Sequence, residues 1–246
     1  MLLFTRPLPK LNISAKAFDA AGISAVGVAT SDIVQVVSEH KAALTFLTTN
    51  AIDVIVVTSV YAVDTVLMAM QSYVSARGSG PVFIAVGDAT ARKLREGLPS
   101  HFAQNVVTPE SHTSEGILAM HYFNKENDQH VVIMKGEGGR RAIADGLSQS
   151  GQMVSTFCVY KRELLTRPVY TKRWKIGDVS GIIATSEAMA KQLVAHYGDA
   201  LLALPWLTVS ERIASSLNTL GASRVQICHR ATDQALIAWV KDNWEY

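Results

Sequence analysis

The sequence predicts an α/β protein built of parallel sheets covered by helices, and three observations carry that prediction. Short apolar runs rich in β-branched residues alternate with longer helical stretches along all 246 residues, the pattern of strand–helix–strand units. The strand candidates are continuous apolar runs, as strands buried on both faces are. The chain also repeats itself. Val54 to Val57 ends in Thr58-Ser59 with Ala62 close behind, and Ile182-Ile183-Ala184 ends in Thr185-Ser186 with Ala190 close behind.

In order, strands are expected at 2–5, 24–28, 54–57, 82–86, 105–107, 131–135, 154–159, 181–184, 206–209 and 225–228. Helices are expected at 11–21, 40–49, 60–76, 89–97, 114–125, 139–150, 187–196, 211–220 and 232–243. Gly22, Gly97, Gly151 and Gly221 stand where helices should end, because glycine accepts the left-handed conformation at a helix stop. Two segments break the alternation. Residues 29–39 and 158–166 are extended and semi-polar and do not lead into helices in the expected way, which suits paired linkers.

The repeat runs through both halves. Val86-Gly87-Asp88-Ala89-Thr90-Ala91 answers to Val209-Ser210-Glu211-Arg212-Ile213-Ala214, and Thr113-Ser114-Glu115-Gly116 to Thr232-Asp233-Gln234-Ala235. Leu2 to Arg6 answers to Val131 to Lys135, each leading to a helix that ends at a glycine, Gly22 or Gly151. The separations are 127, 123, 119 and 129 residues for 58–185, 87–210, 113–232 and 22–151. Four matches in one order indicate an internal duplication, and a duplication in a chain of this length favours two domains.

Composition narrows the function. A hydrophobic content of 48% supports real cores, and 18% charged residues with a net charge of +2 give no nucleic-acid footprint. The start MLLFTRPLPK lacks a basic segment ahead of its apolar residues and does not read as a signal peptide. No run of about 18 apolar residues suggests a membrane span. Cys158 and Cys228 are far apart and are expected as free thiols of a cytoplasmic protein. The chain has no GxGxxG, GxxxxGK[ST], GxSxG, HExxH or CxxC. Nucleotide, metal and serine-hydrolase chemistry therefore lose weight, and the seven histidines, among them His40, His101 and His112, read as surface or packing residues.

What remains is a surface rich in hydroxyls and amides. Thr58, Ser59, Thr90, Thr113, Ser114, Thr185, Ser186, Ser210 and Thr232 all fall near predicted helix starts. Each alone is explained by capping, worth about 1 kcal/mol. Together, at the carboxyl ends of parallel strands, they suit a large anionic ligand. Arg6, Lys135, Arg140 and Arg212 are the cations expected to meet its carboxylates. Tyr160, beside Lys161 and Arg162, reads either as a half-buried interfacial tyrosine or as a phenol that donates a proton to a leaving oxygen.

These residues, in this order, resemble the uroporphyrinogen-III synthase family. The resemblance is carried by Thr5-Arg6-Pro7, TSxxAV at 58–63, VGxxTA at 86–91, TSEG at 113–116, KGEGGR at 135–140, VYKR at 159–162, Thr185-Ser186, SERIA at 210–214 and ATDQAL at 231–236. Lys135, where an arginine is common, and Val60-Tyr61 depart from the usual pattern, and the linkers show no match. The resemblance implies two α/β domains, each a parallel sheet flanked by helices, joined by a two-stranded linker. Residues 1–33 with 165–246 would form one domain and 34–164 the other, with linker segments at about 29–39 and 158–166. It implies closure of hydroxymethylbilane to uroporphyrinogen III, with ring D inverted and water lost, without cofactor or metal.

Tyr160 matches the tyrosine considered as proton donor in the family. Arg6, Thr58, Ser59, Gly87, Thr90, Ser114, Lys135, Gly136, Arg140, Thr185, Ser186, Ser210, Arg212 and Thr232 would bind substrate. The implied protein is a cytoplasmic monomer whose partners are its small-molecule substrate and, transiently, the upstream hydroxymethylbilane synthase, with no nucleic acid and no membrane. Two other readings fit the same residues: a two-domain ligand-binding protein without catalysis, and a catalytically silent relative kept as a tetrapyrrole sensor. The ratio of type III to type I isomer separates both from an enzyme.

Overall fold

The structure is a computed structural model that describes residues 1–73, 80–123, 129–138 and 141–244. Its strands are β1 (Leu2–Thr5), β2 (Ala25–Gln35), β3 (Val54–Val57), β4 (Val82–Ala85), β5 (Val106–Val107), β6 (His130–Gly136), β7 (Met153–Tyr170), β8 (Gly181–Ala184), β9 (Trp206–Thr208) and β10 (Val225–Ile227). Its helices are α1 (Leu8–Ala20), α2 (Val37–Thr49), α3 (Val63–Met70), α4 (Asp88–Gly97), α5 (Ser100–Ala103), α6 (Ser114–Leu118), α7 (Ala142–Gln149), α8 (Glu187–Tyr197), α9 (Glu211–Thr219) and α10 (Asp233–Asn243). The α/β class is as expected. No helix among the described residues is long and apolar enough to cross a membrane.

The chain divides into two compact units, Met1–Ile33 with Glu163–Tyr246, and Val34–Arg162. In the first, the strands lie in the order β10-β9-β8-β1-β2, and β10/β9, β9/β8, β8/β1 and β1/β2 are all parallel. In the second the order is β7-β6-β3-β4-β5, again parallel at each pair. These are the same order. The central strand is β3 in one unit and β8 in the other. Two later strands lie on one side of it, and β6-β7 or β1-β2 on the other. The duplication read from the sequence is therefore a duplication of topology, with β1 and β2 standing where β6 and β7 stand.

The helices follow suit. In the first unit α8 and α9 bury Ala190, Leu193, Ile213 and Leu217 against Leu3, Val28, Ile182 and Trp206. Helices α1 and α10 bury Leu11, Phe18, Leu236 and Val240 against Leu2, Phe4, Ile183 and Leu207 on the opposite face. In the second unit α2, α3 and α4 cover Ile55, Val57, Phe83 and Met134, and α6 and α7 cover Val54, Val56, Ile84 and Ile133. Alternate residues of β3 thus serve opposite cores, because successive side chains of a strand point to opposite faces. Each fully buried Leu, Ile or Phe contributes about 1.5–3 kcal/mol of transfer free energy.

Local sequence explains the edges of these elements. Leu11, Ser14 and Phe18 recur at helical spacing on the buried side of α1, which starts behind Pro7. The Phe18 ring stacks on Phe4 at 5.0 Å. That stack needs Gly27 on β2, where a Cβ would stand 2.6 Å from the Phe4 ring. Gly22, Gly151 and Gly221 have positive φ, as expected of helix-ending glycines. Gly97 does not; it is the last residue of α4, and extended Leu98 ends the helix.

Several boundaries differ from those expected. Residues 37–39 open α2 rather than continuing an extended segment, and β7 runs unbroken from Met153 to Tyr170. Among the described residues, the helix expected at 60–76 is a 3-10 turn over Val60–Ala62 followed by α3, and the one expected at 114–125 is α6 followed by a 3-10 turn at His121–Phe123; residues 74–76 and 124–125 of these expectations lie outside the described residues.

Gly116 in α6 gives a test of this packing. A Cβ there would fall 2.0 Å from the Ser111 carbonyl oxygen, whereas nothing lies within 4 Å of one at Gly177. Gly116→Ala is expected to cost about 1–3 kcal/mol, since backbone must shift, and Gly177→Ala much less. Urea melts of the two variants check this, and equal stability would contradict the packing at Gly116.

Candidate functional site

In an open parallel sheet, ligands sit beyond the carboxyl ends of the strands, where two neighbours send their helices to opposite faces. Each unit has such a point. In the first unit β8 leads to α8 on one face and its neighbour β1 leads to α1 on the other. In the second, β3 leads to α3 and its neighbour β6 to α7. The last paired residues are Thr5 with Ala184 and Val57 with Met134. The residues just past them are Arg6 and Thr185 in one unit, Lys135 and Thr58 in the other. The two cations and two threonines singled out from the sequence therefore occupy equivalent places.

The first unit closes its switch point with Arg6. The residue is 6% exposed. Its Nε donates to Ser14 Oγ at 3.1 Å and its Nη1 to Thr185 Oγ1 at 2.7 Å. Its Nη2 donates to the Ala231 carbonyl at 3.1 Å and to Asp233 Oδ1 at 2.6 Å. Ser14 Oγ also lies 2.8 and 2.9 Å from the two Asp233 oxygens. Arg6 thereby joins the ends of β1 and β8 to the middle of α1 and the start of α10, and the carboxylate that it meets is the chain's own. Desolvation lowers the pKa of nearby Lys10, and the positive charge of Arg6 lowers it further against the opposing pull of Asp233.

The second unit surrounds its switch point with aromatic rings. Thr58 donates through its backbone N–H (3.0 Å) and its hydroxyl (3.3 Å) to the Met134 carbonyl. Ser59 accepts from the Tyr61 N–H and caps the turn that leads into α3. Gly136, at the end of β6, is buried beneath Tyr160. A Cβ there would stand 2.5 Å from the Tyr160 ring and 3.0 Å from its hydroxyl. The Tyr160 ring lies 5.5 Å from that of Tyr61, and its carbonyl accepts from the Glu137 N–H at 2.9 Å. Thr58, Ser59, Lys135, Gly136 and Tyr160 are thus brought together at one strand end. Tyr61 joins them although sequence reasoning did not select it. The signal was present, since Val60-Tyr61 is a departure from the family pattern.

The remaining candidates stand at other carboxyl-end turns. Gly87 is the extended residue before α4, with His112 against it and His112 Nε2 3.6 Å from Asp88 Oδ1. Thr90 is turned inward on α4 and is buried. Ser114 is the first residue of α6, whose cap is Thr113, accepting from the Gly116 N–H at 3.0 Å. Ser210 caps α9 and Thr232 caps α10. Ser186 is the extended residue before α8, with no side-chain cap bond to that helix. Arg212 pairs with Glu187, which also takes Lys191 and Ser216. The bonds from Lys191 and Ser216 hold the Glu187 carboxyl below its usual pKa. Arg140 lies outside the described residues. Cys158, opposite Lys135 on β7, has its thiol pKa pushed up by burial, with Lys135 acting against that shift.

A fold of two repeated parallel strand orders, each with a switch point where neighbouring strands send their helices to opposite faces, defines the class: an α/β protein of duplicated topology. The chain belongs to the uroporphyrinogen-III synthase HemD family, whose model matches residues 14–238. Over 169 residues it is 28% identical to the uroporphyrinogen-III synthase of Escherichia coli (strain K12), a match covering 64% of this chain and 65% of that protein. It is 26% identical over 115 residues to the synthase of Proteus mirabilis, covering 46% and 56%. The matches thus span less than two thirds of the length of these curated relatives. Solved structures share the fold. A mutant uroporphyrinogen III synthase of the extremely thermophilic bacterium Thermus thermophilus aligns with a TM-score of 0.61 and 14% identity over 98% of both chains. The Helicobacter pylori 26695 protein aligns with a TM-score of 0.57, also at 14% identity over 98% of both.

The Arg6 and Asp233 side chains are 7% and 25% exposed, so Asp233→Ala strands a buried guanidinium and is expected to cost about 3 kcal/mol. Asp233→Asn keeps an acceptor and should cost clearly less; equal losses in chemical denaturation would contradict the ion pair. The Cys158 thiol should alkylate with a pH midpoint above that of free cysteine, because burial disfavours the thiolate. A midpoint at or below the free value, read by peptide mass spectrometry, would contradict that burial.

Proposed function

We propose that this protein closes hydroxymethylbilane to uroporphyrinogen III, inverting ring D and releasing water, with no cofactor. The observation that carries this reading is the family match across residues 14–238. The substrate bears an acetate and a propionate on each pyrrole. Carboxylates suit capped helix starts such as those at Ser59, Ser210 and Thr232, where backbone N–H groups and the helix dipole favour negative charge.

Loss of the hydroxyl leaves an azafulvene cation that closes by itself to the unrotated type I isomer. The protein's task is to hold the chain so that attack falls on the substituted carbon of ring D, giving a spiro intermediate that rearranges. That is control by positioning. Tyr160 is the residue that donates a proton to the departing hydroxyl. Its support is its place against Gly136, where the absence of a Cβ lets the ring lie on the backbone, and against Tyr61, which fixes its tilt. Thr58, Ser59, Lys135 and Gly136 frame the same strand end. Arg6 acts from within its own unit, by holding Thr185 and the start of α10 in place. The two compact units read as domains, 1–33 with 165–246 and 34–164, with the linker at about 29–39 and 158–166; the unit limits Ile33/Val34 and Arg162/Glu163 support this division.

The test generates hydroxymethylbilane in situ from porphobilinogen, adds the protein, oxidises, and separates the uroporphyrin isomers. Predominant type III is expected. Type I alone, at the spontaneous rate, would overturn the reading. In the same assay Tyr160→Phe should lower the rate by about a hundredfold, the low end for a general acid, without abolishing it, and an unchanged rate would remove Tyr160 from the mechanism.

A further inference from the structure

The first unit carries a second concave surface at the opposite end of its sheet. A cavity of about 590 Å³ is lined by Tyr170, Arg173, Trp174, Lys175, Asp178 and Tyr197, with Ile176 beside them. It belongs to the amino-terminal ends of the strands. The Ser180 N–H donates to the Met1 carbonyl at 2.9 Å just ahead of β8 and β1, and the Met1 amino group donates to the Asp178 carbonyl at 2.9 Å. Tyr197 is the last residue of α8, which starts at the carboxyl end of β8. The 11 residues of that helix, about 16 Å of rise, therefore separate this cavity from the switch point at Arg6 and Thr185.

Its walls are built. The rings of Trp174 and Tyr197 meet edge to face at 4.8 Å, and both pack by one side on the core of Leu3, Ile182 and Trp206. Their other sides, with the exposed ring of Tyr170, line the cavity. The Trp174 and Tyr197 rings are thus held in place before any ligand arrives, which lowers the entropic cost of binding.

The charge is also selective. Arg6, Lys93, Arg141, Lys191 and Arg212 are drawn into ion pairs elsewhere in the chain, whereas among the described residues neither Arg173 nor Lys175 is. Asp178 is the acid that lines the cavity, and its Oδ2 accepts from the Lys175 backbone N–H. Two cations against one carboxylate leave a surplus of one positive charge. Burial, with a smaller effect from Tyr170, raises the Tyr197 pKa and keeps its phenol protonated as a donor.

We propose that this cavity is a second binding site, for a planar aromatic ring system that bears one carboxylate. The rings of Trp174, Tyr197 and Tyr170 take the flat faces, and Arg173 with Lys175 takes the carboxylate, the guanidinium offering a paired donor edge. The volume falls within the range of small-molecule sites, about 300–1,000 Å³. The site lies apart from the carboxyl-end residues assigned to the reaction and does not depend on that assignment.

The experiment follows the tryptophan indole N–H signals of the ¹⁵N-labelled full chain during titration with 2-naphthoate. The signal lost in Trp174→Phe identifies Trp174. Naphthoate should shift that signal to saturation and leave the signal of buried Trp206 in place. The neutral isostere 2-naphthalenemethanol and the non-planar anion cyclohexanecarboxylate should each bind at least fivefold more weakly. Arg173→Gln with Lys175→Gln, both at exposed positions, should weaken naphthoate at least fivefold while the Trp206 signal reports an intact fold. No saturable shift at Trp174, equal binding of the three probes, or unchanged affinity in the double variant would each overturn the proposal.

Discussion

Both units depend on one constraint. Parallel neighbours cannot be joined by a tight turn, so each connection must climb back over the sheet, and here nearly every one carries a helix. Wherever such a helix follows a strand, the strand delivers its carboxyl end, and the helix its amino end, to the same edge of the sheet. That edge collects unpaired N–H groups and positive dipole ends whatever the residues are. Thr58-Ser59, Gly87, Thr113, Thr185-Ser186, Ser210 and Thr232 are the local answers to that demand. Among them Ser59, Thr113, Ser210 and Thr232 accept backbone N–H bonds of the helical turns that follow, in the manner of caps.

Duplication copies this edge, and the two copies have diverged in the side chains that they place there. At one switch point Arg6 is drawn inward by Thr185, Ser14 and Asp233, so that a cation seals the crevice and ties two helix starts to it. A buried guanidinium is tolerable only with its donors met, and Thr185, Ala231 and Asp233 all reach it from elements distant in sequence. At the other, the strand ends in Gly136, the Tyr160 ring lies on its backbone, and the Tyr61 ring packs against that of Tyr160. The first copy is an internal lock. The second gathers a tyrosine pair and the hydroxyls of Thr58 and Ser59.

The same reasoning gives the amino-terminal edge of the first sheet its character. That edge has carbonyl ends and helix carboxyl ends, which do not favour anions by themselves. The positive surplus at Arg173 and Lys175 is therefore contributed by side chains, and the aromatic walls by Trp174 and Tyr197 anchored in the core. Two edges of one sheet thus differ in where their positive character comes from, the backbone at one and side chains at the other.

Much of this was legible in the amino-acid sequence alone. Apolar runs marked the strands, since a strand buried on both faces has no polar side to show. The repeat marked the topology, and hydroxyls before helical runs marked Ser59, Thr113, Ser210 and Thr232, because capping is a local event spanning two or three residues. Gly22, Gly151 and Gly221 declared helix ends for the same local reason. Tertiary structure alone decided the rest. Arg6 meets Asp233 across 227 residues, and Tyr160 meets Tyr61 through a glycine on a neighbouring strand. Val37 begins a helix that its β-branched neighbours argue against, where Ala43 and Leu47 find the core of the second unit. Pairings of that kind depend on which strands lie side by side. Spacing along the chain carries no record of it.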